Sequence, residues 1–114
     1  MALPKSERLT KTRDIERVFK RSQRDEGEFV IIRLHKKSTF PGRATVIVSK
    51  AVSKRAVLRN ILRRRIVEWL RVRACISSLG VDCVVSVKPA AAKSSRQALY
   101  RDLAKTARGL GITS

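Results

Sequence analysis

The sequence predicts a single α/β domain, an α+β-type layered sandwich with the element order α-β-(β)-β-α-β-α. Three observations lead to this fold class. The chain has 114 residues, the length of one ordinary domain. Short β-branched runs alternate with stretches whose apolar residues recur at helical spacing. A long helical stretch lies between two of those runs and predicts a strand–helix–strand crossover. Residues 1–114 are therefore expected to form one domain.

The N-terminal segment is polar and basic, and residues 1–10 are expected to form a flexible arm. The stretch "TRDIERVFKRS" at 12–22 predicts a short helix, with Thr12 as its cap. The following "QRDEG" is expected to end this helix and turn the chain. One face of the helix gathers Ile15, Val18 and Phe19.

Three runs predict strands, at 28–35, 43–49 and 81–89. In the first, alternation places Val30, Ile32 and Leu34 on one face. The other face would carry Phe29, Ile31 and Arg33. The sequence does not decide whether a further short strand forms near 22–27 or 36–40, because neither segment has a clear strand pattern.

Two more helices are predicted, at about 54–74 and 95–109. The first has arginines on its far side, whereas Arg65 falls inside its apolar stripe and is expected to extend to water or phosphate. "SSLG" should close it, and Gly109 and Gly111 should end the second. The apolar stripes comprise Leu58, Leu62, Ile66, Trp69 and Val72 with Ile61 beside them, and Leu99, Leu103 and Leu110.

The charge is strongly unbalanced, with 27 Lys+Arg against 9 Asp+Glu and a net charge of +18. A compact domain with this excess repels itself, so a polyanionic partner is expected: nucleic acid, an anionic membrane or an acidic protein. No apolar run approaches the ~20 residues of a spanning helix, and the N-terminus lacks a secretory pattern. A cytoplasmic location is expected. Cys75 and Cys83 fit reduced, packed thiols, although their spacing does not exclude a disulfide.

The side chains offer little for catalysis, because His35 is the single histidine and the acids are scattered. We expect no catalytic residues and no metal bound by the protein. Binding is better supported, since eight Lys and Arg lie between 54 and 73 against Glu68 alone. A membrane-surface helix is disfavoured because its apolar stripe is needed for the core. Strands on both sides of the helix disfavour a DNA-reading helix-turn-helix, and the few aromatics disfavour a sheet that stacks RNA bases.

The stretch "RATVIVSKAVSKRAVLRNILRRRIVEW" at 43–69 resembles the protein component of bacterial ribonuclease P. The N-terminal segment "RLTKTRDIERVFK" at 8–20 and the later segment "DCVVSVKP" at 82–89 resemble the same family. Six positions depart from its usual pattern: Ile15, Thr45, Ala51, Ile61, Arg65 and Val67. The matching positions are Arg43, Ser49, Lys50, Lys54, Arg55, Ala56, Val57, Arg59, Asn60, Arg63, Arg64 and Glu68.

The resemblance implies that the chain is the protein subunit of an endoribonuclease whose catalytic RNA removes the 5′ leader of precursor tRNA. It also implies one protein per RNA, magnesium bound mainly by the RNA, no DNA or membrane partner, and a left-handed crossover against the usual rule. A ribosome-associated or other structural RNA-binding protein is the alternative, which explains the charge but not the Arg-Asn motif.

Two sets of residues follow as expected RNA contacts. Those for the catalytic RNA are Lys50, Lys54, Arg55, Arg59, Asn60, Arg63 and Arg64. Those expected to border the leader cleft are Arg8, Lys11, Ile15, Phe19, Phe29 and Ile31.

Overall fold

The computed structural model describes residues 5–36, 41–74 and 80–112. Short 3-10 turns lie at Lys5–Glu7 and Pro89–Lys93, and a π-helical turn, Leu70–Ala74, extends the second helix. The principal elements are α1 Thr12–Lys20, β1 Gln23–Glu26, β2 Val30–Lys36, β3 Arg43–Ile47, α2 Ala56–Trp69, β4 Val81–Val87 and α3 Arg96–Gly109.

The strands form one four-stranded sheet in the order β1-β2-β4-β3. β2 pairs antiparallel with both β1 and β4, whereas β3 pairs parallel with β4. A parallel neighbour needs a crossover connection, and α2 supplies it between β3 and β4. The single α+β domain with this crossover is confirmed. The left-handed sense of the crossover stays a prediction.

The main core lies between one face of the sheet and the helices α2 and α3. Val30, Ile32 and Leu34 are all buried there, so the predicted alternation of β2 is confirmed. Each such side chain contributes roughly 1.5–3 kcal/mol by leaving water. The helices supply Leu62, Ile66, Trp69, Leu70, Leu99, Leu103 and Ala107.

A smaller core lies on the opposite face of the sheet, beneath α1. Val18 of α1 and Val84 of β4 are fully buried there, with Leu9 at 1% exposure and Ile15 packed alongside. Helices therefore cover both faces of the central strand β4, which explains why its residues from Val81 to Val85 are all buried. The molecule has three layers: α1, the sheet, and α2 with α3.

The prediction that "QRDEG" turns the chain is wrong for its first four residues, because Gln23–Glu26 forms the edge strand β1, the short strand that was left open near 22–27. Its polar residues have low strand propensity, but pairing with β2 overrides it. The turn comes at residues 27–29, where the buried carboxylate of Asp102 accepts the N–H groups of Glu28 and Phe29 at 2.8 Å each. A Cβ at Gly27 would lie 2.5 Å from both Asp102 oxygens, so any larger residue would displace the carboxylate from these two N–H groups.

The predicted N-terminal arm is wrong for residues 5–10. Arg8 forms a parallel bridge with Ala44, and the Leu9 N–H donates to the Ala44 carbonyl at 3.0 Å. Thr12 is not the cap of α1, since the N-cap is Lys11 and its side chain makes no capping bond. Residues 1–4 lie outside the described residues.

The second helix begins at Ala56 rather than 54, and it is α-helical only as far as Trp69. Leu70 is buried and Val72 is 50% exposed, because at ~100° per residue Leu70 falls about 40° from Ile66 on the helix circumference whereas Val72 falls about 120° away. Ile61 is 37% exposed and also lies outside the core. The helix end that was predicted at "SSLG" lies mostly within residues 75–79, which are outside the described residues. Cys75 lies there too.

Cys83 is a free, fully buried thiol, and burial raises its pKa to about 12, with the charge of Asp82 adding to the shift. We expect iodoacetamide to label Cys83 far more slowly in native than in urea-unfolded protein, measured by mass spectrometry of its peptide. The folded pKa is above the ordinary 9.0. The stabilisation from keeping this thiol protonated is therefore complete below pH 9 and is lost as pH rises towards 12. Equal iodoacetamide labelling of Cys83 in native and urea-unfolded protein would contradict the burial of its thiol.

Candidate nucleic-acid interface

A basic face spans the start and the outer side of α2, and Lys54 and Arg55 in it precede the helix. It is defined here as Lys54, Arg55, Arg59, Asn60, Arg63 and Arg64. At ~100° per residue, the four helical members from Arg59 to Arg64 fall within about 140° of the helix circumference. The core side of the helix is held by Leu62 and Ile66, which are 1% and 0% exposed. The apolar stripe therefore fixes the direction in which the basic face points.

The loop before α2 brings further positive charge to the start of the helix. Val52 is buried and anchors this loop, while Lys50, Lys54 and Arg55 are exposed. The Ser53 hydroxyl accepts the Arg55 N–H at 3.1 Å, so it bonds one of the amides at the helix start. These three cations make no ion pair or side-chain hydrogen bond with any described residue, which leaves them available to an anion.

Arg59, one of the expected RNA contacts, bonds back to the loop before α2. It is half-buried, and its Nη1 donates to the carbonyl oxygens of Ser53 and Lys54 at 3.0 and 3.1 Å. Its guanidinium therefore fixes the loop that carries Lys54, and only its remaining N–H groups are left for RNA. Within the chain, Arg59 therefore positions the loop before α2.

Asn60 and Arg63 act as a pair on the exposed side of α2. Arg63 Nη1 donates to Asn60 Oδ1 at 2.6 Å, one helical turn apart. This bond orients the Asn60 side chain and leaves its amide N–H groups pointing away from Arg63 as donors. Arg64 beside them is exposed. The pair presents donors in a fixed arrangement, as recognition of a structured RNA requires.

A second surface, which we call the sheet cleft, lies where α1 leaves the sheet uncovered. Phe19 is 45% exposed, and the guanidinium of Arg33 lies 4.5 Å from its ring centroid. Pairing places Ile31, Ser86 and Ile47 in one row on this face, and Arg33 Nη1 donates to Ser86 Oγ at 3.4 Å. Partial burial lowers the pKa of Arg33, but it stays charged at neutral pH. An exposed ring, a cation and apolar floor residues suit an unpaired nucleotide strand.

The residues predicted for the leader cleft do not all meet. Phe19 and Ile31 lie at the sheet cleft, and Ile15 packs mainly in the small core beneath α1. Phe29 does not belong to the cleft, because it precedes β2 and packs against the main core beside Asp102. Lys11 is exposed at the start of α1. Arg8 and Arg63 line opposite sides of one groove of about 170 Å³ between residues 8–10 and α2.

Sequence reasoning did not identify Arg33, Ile47 and Ser86 as cleft residues. Alternation in β2 placed Arg33 on the face of Ile31, but its contact with Phe19 depends on where α1 crosses the sheet. Ile47 and Ser86 join them only through the register of β3, β4 and β2. Register of this kind is set by long-range pairing, which no local pattern revealed.

An ion network holds α1 in place beside the cleft. Arg43 of β3 donates through Nε and Nη2 to the two oxygens of Asp82 at 3.0 and 2.8 Å, and through Nη1 to Asp14 at 3.2 Å. The Asp82 side chain is 3% exposed and that of Asp14 is 14% exposed. Hydrogen bonding to Asp82 is the main cause that raises the pKa of Arg43. The network connects α1, β3 and β4, and thereby fixes the position of Phe19.

Within the three described ranges, no three His, Cys, Asp or Glu side chains gather in a way that would hold a metal ion. No helix in the described parts of the chain is long and apolar enough to cross a membrane.

The comparisons with known proteins agree on one family. The sequence model of the Ribonuclease P family matches residues 3–111. The "Ribonuclease P protein component" of Rippkaea orientalis is 30% identical over 110 residues, 92% of this chain and 87% of the relative. That of Prochlorococcus marinus is 32% identical over an alignment of 129 residues that covers both chains completely.

Two solved structures share the fold. The RNase P protein of Staphylococcus aureus superposes with a TM-score of 0.86 at 22% identity, covering 96% of this chain and 100% of that one. The RNase P protein of Thermotoga maritima gives 0.75 at 22% identity, with 87% and 93% covered. At such identities they support the architecture, while the match over 3–111 supports the assignment: this chain belongs to the ribonuclease P protein family.

Proposed function

We propose that this chain is the protein subunit of ribonuclease P and acts with an RNA subunit to form the mature 5′ end of tRNA. In this proposal the basic face of α2 binds the catalytic RNA, one protein per RNA. The sheet cleft holds the single-stranded 5′ leader of precursor tRNA. Family membership supports the role in tRNA processing, and the surfaces of the chain support the division of labour between the two sites.

The observation that carries the proposal is the basic face itself. Lys54, Arg55 and Arg64 are exposed and unpaired among the described residues, whereas Asn60 and Arg63 are held in one arrangement by their mutual bond. Phosphate groups would neutralise the unpaired cations, and the fixed pair would set the register on the RNA. A solvated charged face would need no such arrangement.

The protein's part in the reaction is to bind and orient. RNA phosphates at the basic face would anchor the subunit, and the sheet cleft would place the leader relative to the scissile bond. Magnesium would supply the Lewis acid for phosphodiester cleavage, and in this proposal it is bound mainly by the RNA. No side chain of the chain is given a catalytic role.

In the cleft, Phe19 and Arg33 provide a stacking surface for bases without selecting their sequence. Base stacking on an aromatic ring contributes roughly 1–3 kcal/mol per base, and the guanidinium adds to it. Ser86 adds a hydroxyl, and Ile31 and Ile47 form an apolar floor. This chemistry accepts leaders of differing sequence, as a subunit acting on many precursor tRNAs requires.

Photo-crosslinking tests the assignment of the two surfaces. A benzophenone amino acid at position 57, beside the basic face and 67% exposed, should crosslink to the catalytic RNA. The same group at position 19 should crosslink to the leader of precursor tRNA. Crosslinks from position 57 to ribosomal RNA alone, after capture from cell extract, would instead favour a ribosome-associated protein. A reversed pattern of the two positions would contradict the assignment.

Arg59 and Asn60 should separate in their effects on folding and binding. Asn60→Ala should weaken binding of the catalytic RNA while the melting temperature stays almost unchanged, because the side chain is exposed. Arg59→Ala should also lower the free energy of unfolding by about 1 kcal/mol, since two carbonyl bonds are lost. Thermal melts and filter binding measure both. An unchanged melt for Arg59→Ala would contradict its positioning role.

A further inference from the structure

A pocket of about 360 Å³ lies between α1 and the end of β2. We call it the α1 pocket. Its lining is almost entirely basic, with four cations and one carboxylate. The residues are Arg13, Glu16, Arg17, Lys20, Arg21 and His35. Neither the sequence pattern nor the two surfaces described above account for it.

The charges of this pocket are not compensated within the described structure. Arg17 approaches Asp14 only loosely, at 3.7 Å. Arg13, Lys20 and Arg21 make no side-chain ion pair or hydrogen bond with a described residue. Elsewhere in the described structure basic side chains are paired, as Arg24 and Lys88 are with Glu26 at 2.7 and 2.6 Å. Unpaired like charges around one concavity repel one another unless an anion joins them.

His35 adds a defined polar group to the pocket. Its Nδ1 lies 2.9 Å from the carbonyl oxygen of Arg21, and a carbonyl oxygen only accepts, so Nδ1 carries the proton. The bond fixes the ring and connects β2 to the end of α1. Nε2 remains without a hydrogen bond to a described residue.

The pocket adjoins the sheet cleft. Arg33 and His35 lie on the same face of β2 two residues apart, about 7 Å along the strand. Arg33 lies over Phe19, whereas His35 bonds to the end of α1. Phe19 and Lys20 are consecutive, yet one lines the cleft and the other lines the pocket. An RNA strand that leaves the cleft around the end of α1 therefore meets the pocket next.

We propose that the α1 pocket is a further binding site for RNA phosphodiester groups, separate from the basic face of α2. Its cations would bind the sugar-phosphate backbone without reading bases. The proposal rests on the proposed function only for the source of the RNA, which is either the distal part of the leader or a segment of the catalytic RNA.

The test compares two double variants that remove the same charge. Arg13→Gln/Lys20→Gln removes two cations of the pocket, and Arg96→Gln/Arg108→Gln removes two exposed cations of α3 as the matched control. Binding of a single-stranded RNA oligonucleotide to the free protein is measured across a salt series. The pocket variant should bind several-fold more weakly, with a salt slope shallower by about 1.4 for two lost phosphate contacts. The control should resemble wild type.

Holoenzyme measurements then identify the source of the phosphates. If affinity for precursor tRNA falls only when the leader is long, the pocket binds the distal leader. If the protein's affinity for the catalytic RNA falls instead, the pocket binds that RNA, and either result supports the site. Equal behaviour of the pocket variant and its control in all three assays would overturn it. Failure of the wild-type protein to stimulate cleavage would overturn the proposed function without touching the oligonucleotide result.

Discussion

Replacing Arg43 by methionine is expected to lower the free energy of unfolding by about 3 kcal/mol. The change removes both bonds to the carboxylate of Asp82, whose side chain is 3% exposed, and the bond to Asp14. The cost is set mainly by the buried charge that loses its bidentate partner. The 26% exposure of Arg43 lets water offset part of it. Urea denaturation of wild type and variant measures the difference.

The control is Arg24→Met, which makes the same chemical change at an exposed ion pair. The side chains of Arg24 and Glu26 are 52% and 42% exposed, so the expected loss is at most ~0.5 kcal/mol. Arg43→Lys keeps the charge but not the planar fork, and should fall between wild type and Arg43→Met. Similar losses for Arg43→Met and Arg24→Met would contradict the role of the network in holding α1.

The triple variant Lys54→Gln/Arg55→Gln/Arg64→Gln is expected to weaken binding of the catalytic RNA about a hundredfold at low salt. Each residue is exposed and unpaired among the described residues, so the fold should be unaffected. The slope of log affinity against log salt should become shallower by about 3, roughly one unit for each lost phosphate contact. Filter binding across a salt series measures both quantities.

A triple variant on another helix surface controls for net charge. Lys93→Gln/Arg96→Gln/Arg108→Gln also removes three exposed cations, but from the region of α3. It should retain affinity within a few-fold, because only long-range attraction is reduced. Equal weakening by the two triple variants would mean that the basic face of α2 acts only through net charge.

The elements with strong hydrophobic periodicity were predictable from sequence. The alternation in β2 and the stripes of α2 and α3 describe the main core, because burial follows directly from spacing. Whether residues 22–27 form a strand was left undecided, because the four residues of β1 are polar. The strand forms through its pairing with β2, and Asp102 holds the turn that follows it. Such long-range contacts leave no local pattern. Val72 was wrongly assigned to the stripe of α2, since the spacing from Ile66 favours Leu70, which is buried, while Val72 is 50% exposed.

The candidate sites divide in the same way. The basic face of α2 follows from the sequence because helical geometry alone gathers its residues. The sheet cleft depends on the position of α1, which the network of Arg43 fixes across three elements. Phe29 was wrongly placed in the cleft because it was taken as part of β2, which in fact begins at Val30. The bonds of Arg59 to the loop were not predicted either, because they depend on how the loop folds back onto the first turn of α2.

Reconstitution tests the central claim most directly. The protein is combined with its cognate catalytic RNA, and cleavage of precursor tRNA is followed at low magnesium, with the RNA alone and the protein alone as parallel reactions. The account predicts accurate 5′ cleavage that is much faster with both components than with the RNA alone, and none with the RNA-free protein. Cleavage by the purified protein alone, or no stimulation of the RNA, would contradict it.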